Sequence, residues 1–377
     1  MDQCTAHKLF AEGAFLVMLD VPQNTEIGID YHSWRSGPKF MGIKMIPPGL
    51  HFVYYSAVNS NGQAAPRTGL FHSFKKQEVL VYRWDVTNED VTTDGVTMEM
   101  VDRITSGIKD LDNQLGCYPY ESLKIWYSLT NHIREPLLKR LQPIKTKISS
   151  VMQLVSSKQD HMMQGVEQDH MITGGTFAGV GEFPSLPAPT FPVDQCALVA
   201  DTDASIRFTS FPTHKHPQGS SPSDITRHHM DLTYTLSTML DSCYDNSIDD
   251  LLGEIQFAFV CFLIGHVYEA FNQWKKLICL LCSCEEAIAV HTDLYSNFIG
   301  VLHFQLKHTP DDFFIDNISK DNFVTVSLKN FFSNLEECPG ACKDLVSRGL
   351  QFRDTLAKKY SWDFNSELDE FAPTVID

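Results

Sequence analysis

Across the first hundred residues the apolar positions fall in short runs and alternations bounded by Gly, Pro and Asn. Phe15–Val21 is an almost unbroken apolar run stopped by Pro22, the pattern of a buried strand. Glu26–Tyr31 and Lys39–Ile46 follow with near alternation, and Leu50–Ala57 is rich in aromatics. Asn59-Ser-Asn-Gly62 marks a turn. Gly69–Lys75 and Glu78–Trp84 then read as another strand pair. In the second of these Val79, Val81 and Arg83 face one way, and Leu80, Tyr82 and Trp84 the other. Several strands at short spacing predict a sandwich or a partly open barrel.

From about Thr97 the period changes. Val101, Ile104, Ile108, Leu111 and Leu115 recur at three- and four-residue steps, which predicts an amphipathic helix ended by Gly116. Leu123, Trp126, Tyr127, Ile133, Leu137 and Leu141 predict a second helix, kinked near Pro136. Both helices are expected to cover the β-domain. Residues 144–222 are rich in Ser, Gly and Pro and read as a long, partly disordered connection, with Ser205–Phe211 as a short strand near its end.

The remainder is helical. Ser221, Pro222 and Asp224 form an N-terminal start signal. Ile225, Leu232, Leu236, Met239 and Leu240 mark one buried stripe, and Leu252, Ile255, Phe259, Phe262 and Leu263 the next. Further helices are expected over Val267–Cys282, Glu285–Leu306, Asn322–Ser333 and Cys342–Tyr360, making an α-superhelix or bundle. The expected class is therefore α+β in two domains. Residues 1–143 form a β-rich domain with two helices, 144–204 a flexible linker, 205–363 an α-helical domain, and 364–377 an acidic extended tail.

Charge narrows the function. Thirty Lys and Arg stand against 47 Asp and Glu, a net charge of −17. Such a balance opposes the counterion release on which broad phosphate binding depends, so no direct nucleic-acid partner is expected. The best local basic candidates are Lys124, Lys139, Arg140, Lys145 and Lys147, a run sparse enough to read as a solvated helix face. The ten cysteines sit largely within apolar helical patterns, and the first residues lack a signal-peptide design. That combination indicates a reducing, cytosolic or nuclear setting. The longest apolar run, Phe257–Ile264, is too short for a membrane span, which takes about 20 residues.

The candidate chemistry does not assemble into a site. Cys279-Leu-Leu-Cys282-Ser-Cys284 holds a C-x-x-C, but zinc takes four ligands and no second pair lies near. His228 and His229 occupy adjacent helix positions, about 100° apart, and His214 with His216 lies in a loop. Gly174–Gly181 lacks the Lys-Ser/Thr ending of a phosphate loop, and Asn317-Ile-Ser319 matters only in a secreted chain. Asp311, Asp312, Asp316 and Asp321 read as a helix N-terminal and surface set. No catalytic, cofactor-binding or metal-binding residue is expected, and the chain is not expected to be an enzyme. The exposed serines Ser156, Ser157, Ser220 and Ser221 are candidate phosphorylation positions.

Gly28-Ile-Asp-Tyr-His-Ser-Trp34, Gly37-Pro-Lys-Phe40 and Lys44-Met-Ile-Pro-Pro-Gly-Leu-His-Phe52 closely resemble one family, the AAR-two type (A-one cistron) splicing factors. The resemblance continues through Ile225–Tyr234, Gly253–Leu263, Val267–Phe271, Asp321–Phe323 and Trp362–Phe364. It implies a C-terminal domain like the VHS superhelix. It also implies a partner, the large scaffold protein of the U5 snRNP, contacted through its RNase H-like and Jab/MPN-like regions. The factor then holds that scaffold immature and keeps the U5 helicase and RNA away. On this resemblance the tail residues Thr374, Val375 and Ile376, with Trp362 and Phe364, are expected to contact the partner, the former by strand pairing. A monomer when free, both cytoplasmic and nuclear, is expected. The alternatives are a VHS-like trafficking adaptor and a hydrolase with a site at the domain junction.

Overall fold

A computed structural model describes residues 3–58, 62–151, 154–157, 197–309 and 323–364. The β-rich part contains α1 (Gln3–Glu12), β1 (Ala14–Leu19), β2 (Glu26–Ile29), β3 (His32–Arg35), β4 (Gly42–Ile46), β5 (Gly49–Ser56), β6 (Thr68–Phe74), β7 (Val79–Asp85), β8 (Asp90–Thr92), α2 (Met98–Ser106), β9 (Leu115–Cys117), α3 (Leu123–Thr130), α4 (Glu135–Leu141) and β10 (Lys147–Ser149). Its strands form two five-stranded sheets, ordered β8-β7-β1-β4-β9 and β10-β6-β5-β2-β3.

Alternation divides the apolar residues among three layers. Leu16 and Met18 of β1 meet Ile27, Ile29, Val53 and Tyr55 between the sheets. Phe15 and Val17, one residue out of phase, join Val81 and Leu115 on the outer face of the first sheet, beneath α1 and α2. Leu80, Tyr82 and Trp84 turn inward between the sheets and Val79 and Val81 outward, as the alternation in β7 predicts. β1 is buried on both faces because it lies mid-sheet, parallel to β7 and antiparallel to β4. On the outer face of the second sheet, Phe52, Tyr54 and Phe71 share one core with α3, α4 and the C-terminal helices. Gly28 is required there: a Cβ would lie 2.1 Å from the Tyr54 ring that crosses it.

Several elements depart from the sequence reading. β6 and β7 do not pair; the chain turns at Gln77, with φ 60°, and enters the other sheet. Helix α2 stops at Gly107, and Leu115 lies instead in β9, parallel to β4. The helical spacing persists beyond the helix because Ile108 and Leu111 still pack on the same sheet face from turns. The second helix is two, α3 and α4, with Pro136 accommodated in the first turn of α4 rather than kinking a continuous rod. Both lie between the second sheet and the helical part, so they bridge the two rather than simply covering the first.

The segment read as a connection holds β10, which extends the second sheet beside β6, and an antiparallel pair, β11 (Leu154–Ser157) with β12 (Ala197–Ala200). Ser205–Phe211 takes no strand assignment; Ile206 and Thr209 are nevertheless buried. The turn expected at Asn59–Gly62 falls mostly outside the described residues.

The helical part contains α5 (Pro222–Met230), α6 (Thr233–Cys243), α7 (Ile248–Leu263), α8 (Tyr268–Cys282), α9 (Ala287–Val290), α10 (Thr292–His308), α11 (Phe323–Glu337) and α12 (Lys343–Tyr360). Ser221 and Asp224 form the capping box of α5 that the start signal predicts. The stripe from Ile225 to Leu240 is broken at Asp231, whose carboxylate instead accepts from the Thr233, Glu285 and Glu286 amides at 2.9, 3.1 and 3.2 Å. Among the described residues no helix is long and apolar enough to cross a membrane.

Candidate functional site

The two halves meet along α7. Phe71 of β6 stacks on Phe257 of α7 at 5.2 Å between centroids. The Gln256 side-chain oxygen accepts from the His132 amide at 2.8 Å, and its nitrogen donates to Asn131 Oδ1 at 2.8 Å. Gly253 lies so close beneath the α3–α4 turn that a Cβ would sit 2.4 Å from the His132 carbonyl oxygen. Arg67 donates to the Ile264 carbonyl at 2.8 Å and to Glu26 at 2.7 Å, and lies over the Tyr54 ring. Burial pushes the Tyr54 phenol up to about 12, against the opposing Arg67 charge.

One helical turn of α7 holds a buried carboxylate. Glu254 is fully buried and accepts from the Thr209 amide at 2.8 Å, its hydroxyl at 2.5 Å, Gln273 at 3.0 Å, Tyr244 at 3.1 Å and Arg140 at 3.2 Å. This one side chain ties the 205–211 segment to α4, α7 and α8. Burial, then the Glu254 charge, pushes the Tyr244 phenol well above its ordinary range. A charged residue inside the apolar run Leu251–Leu263 was the available sequence signal for this site, because an unpaired charge there is strongly disfavoured.

A second buried pair lies in the motif that carries the family resemblance. Asp30, at φ 54°, accepts from Tyr118 at 2.6 Å and from the Phe52 amide at 2.9 Å, and its other contact is His51 Nδ1 at 2.6 Å. His51 Nε2 faces the Pro47 carbonyl oxygen at 2.8 Å. Both side chains are fully buried and both ring nitrogens are occupied by acceptors, so the pair holds the β2–β3 hairpin to the sheet and has no nitrogen left for a substrate. At the junction itself His132 Nδ1 lies 3.1 Å from Asp249, within a surface cluster shared with Arg134.

The candidate basic run is dispersed. Lys139 pairs with Glu135, Arg140 with Glu254, Lys145 with Asp201 and Lys147 with Asp90. Cys282 and Cys284 are buried, and burial raises both thiols, which disfavours thiolate; Cys279 lies 3.3 Å from the Ser327 hydroxyl. His228 rests 5.4 Å from the Tyr234 ring, and His216 Nδ1 lies 3.1 Å from the Pro217 carbonyl. Trp362 is half-buried and stacks on Tyr360 at 4.5 Å, and Phe364 meets Phe332 edge-on at 5.2 Å. Thr374, Val375 and Ile376, the Gly174–Gly181 stretch, Asn317–Ser319 and the Asp311–Asp321 group lie outside the described residues. A cleft of about 750 Å³ runs beside the 206–211 segment and α8, lined by Phe208, Phe211, Lys215 and Lys276.

At the end of α10, burial and then Lys307 lower the proton affinity of His303 and His308, with Lys359 adding to the effect on His308. A histidine whose folded pKa lies below its unfolded value of about 6.5 stabilises the fold above that value. That contribution disappears as the pH falls toward the folded pKa. Urea midpoints are therefore expected to drop between pH 7.5 and 5.5, and to drop less in a His303→Gln/His308→Gln variant. Equal losses in both proteins would contradict this assignment.

A family profile described as the AAR2 N-terminal domain matches residues 12–143, and one described as the AAR2 C-terminal repeat region matches residues 208–365. The Protein AAR2 homolog of Homo sapiens is 41% identical over 389 residues, covering 100% of this chain and 97% of that protein. The chain belongs to the AAR2 family. The Protein AAR2 homolog of Mus musculus is 42% identical over 388 residues, again with 100% and 97% coverage. The A1 cistron-splicing factor AAR2 of Saccharomyces cerevisiae is 20% identical over 312 residues, covering 78% of this chain and 76% of that protein. Both AAR2 profiles contribute to the junction: Phe71 and His132 fall in the first, Gly253, Glu254 and Phe257 in the second.

Proposed function

We propose that this AAR2-family chain is a pre-mRNA splicing factor that chaperones assembly of the U5 snRNP without catalysing a reaction. It binds the large central U5 scaffold protein over its RNase H-like and Jab/MPN-like regions and blocks premature entry of helicase and RNA. The observation that carries the reading is the match to this family across the whole chain. The electrostatics agree with it. An acidic protein whose candidate basic run is largely neutralised by carboxylates competes with RNA for a basic surface instead of binding RNA itself.

In this reading residues 1–143 and 205–363 are the two domains, the second a VHS-like superhelix, joined through 144–204. Trp362, which stacks on Tyr360, and Phe364, which meets Phe332 edge-on, contact the partner at the root of the tail, and Thr374–Ile376 pair with a strand of the partner. Phosphorylation at Ser220 or Ser221 releases it. The Ser221 hydroxyl bonds the Asp224 carboxylate at 2.7 Å, so a phosphate there would repel Asp224 and break the cap of α5. The protein acts as a monomer in cytoplasm and nucleus. Affinity purification from cell extract with mass spectrometry is expected to recover U5 components, and Ser221→Glu to recover fewer. Recovery of endosomal cargo tails in their place would support the trafficking adaptor.

A further inference from the structure

Among the described residues the sheet order leaves β3 at an edge, bonded to β2 alone. The two strands join through a two-residue turn, Asp30–Tyr31, with Ile29 opposite His32. Backbone groups alternate in direction along a strand, so one set of residues bonds inward and the next outward. The Ser36 amide bonds inward to the Thr25 carbonyl, which places His32 and Trp34 in the inward set. The N–H and C=O groups of Ser33 and Arg35 therefore point away from the sheet. His32, Ser33 and Arg35 are exposed, as is the nearby Lys39. Such an edge is a template for another strand.

The surroundings specify which strand. Among the described residues Arg35 and Lys39 form no ion pair, in a chain of net charge −17. The Tyr31 hydroxyl, one residue before β3, donates to the His308 carbonyl at 2.7 Å. Lys307 and Lys359 act on His308, and Lys359 on Tyr31, so the field at this end of the edge is positive. The C-terminal end of the described chain lies here as well: the Tyr360 hydroxyl donates to the Leu306 carbonyl, and Trp362 stacks on Tyr360. Residues 365–377 follow, carrying Glu367, Asp369, Glu370 and Asp377 and the β-favouring Thr374-Val375-Ile376. The ten Cα-to-Cα steps from Phe364 to Thr374 reach up to about 33 Å.

We infer that the β3 edge is the docking site of this chain's own acidic tail, with Thr374–Ile376 pairing to Ser33–Arg35 and the acidic residues facing Arg35 and Lys39. The tail then occupies in cis the backbone groups it needs to pair elsewhere, so a partner must displace it. This inference needs no scaffold protein and stands or falls separately from the proposed function.

Amide hydrogen exchange on the full chain tests it. The outward amides of Ser33 and Arg35 are expected to be protected. Val375→Pro is expected to speed their exchange about tenfold, leaving the inward amides of His32 and Trp34 unchanged. A peptide of residues 365–377 added to the Val375→Pro protein should restore protection, and should fail to do so when Arg35 is also changed to Glu. Exchange at Ser33 and Arg35 that is unprotected in the natural chain, or indifferent to Val375→Pro, overturns the inference. Protection that depends on protein concentration also overturns it, because the tail then pairs with a second copy.

Discussion

Glu254→Ala is expected to lower the free energy of unfolding by about 3–5 kcal/mol. Arg140 is partly exposed, so its pairing with Glu254 is screened and contributes the smaller share. The larger share comes from the donors left behind. Buried donors without acceptors carry their full desolvation cost, and here the Thr209 amide and hydroxyl, the Tyr244 hydroxyl and the Gln273 amide all lose one. A domain of ordinary stability has about 5–15 kcal/mol in total, so the loss should appear as a large fall in the urea midpoint. A fall equivalent to less than about 1 kcal/mol would mean that neighbouring side chains or water take over as acceptors.

Gly253→Val is expected to destabilise the protein by about 1–3 kcal/mol. In an unobstructed helix this change would help, because Gly is about 1 kcal/mol poorer than Ala there and Val recovers part of that. At this position the new Cβ would lie 2.4 Å from the His132 carbonyl oxygen and 2.5 Å from Leu137 Cδ2. Leu137 can change rotamer. The carbonyl belongs to backbone at the turn between α3 and α4 and moves only if that turn lifts from α7. The expected result is a lower urea midpoint, with Phe71 and Phe257 less tightly stacked. An unchanged or higher midpoint would show that the junction yields at little cost.

Six strands were legible because apolar runs and alternation are local properties: β1, β2, β4, β5, β6 and β7 lie where those patterns put them. Partnership was not legible. Nothing in β6 and β7 records that they belong to opposite sheets, since both bury alternating faces. The three-residue β8 and β9 and the exposed β3 are too short or too polar to show a period. Helix α1 carries only two large apolar side chains, the adjacent Leu9 and Phe10, too few to mark a stripe. At the junction the signals were present in Gly253 and Glu254, two residues out of place in an apolar helix, but their partners are more than a hundred residues away in the case of His132 and more than forty in the case of Thr209.

Phe52, Tyr54 and Phe71 look outward from the second sheet, and their cover is supplied by helices from the rest of the chain. A fragment ending at Ser149 would lose the part of that cover given by α7 and present a bare aromatic shoulder to water, an invitation to aggregate. The β-rich half is thus no freestanding cassette. Moved into another protein, it is expected to need α7, or a substitute that covers Phe71 and its neighbours, to stay in solution.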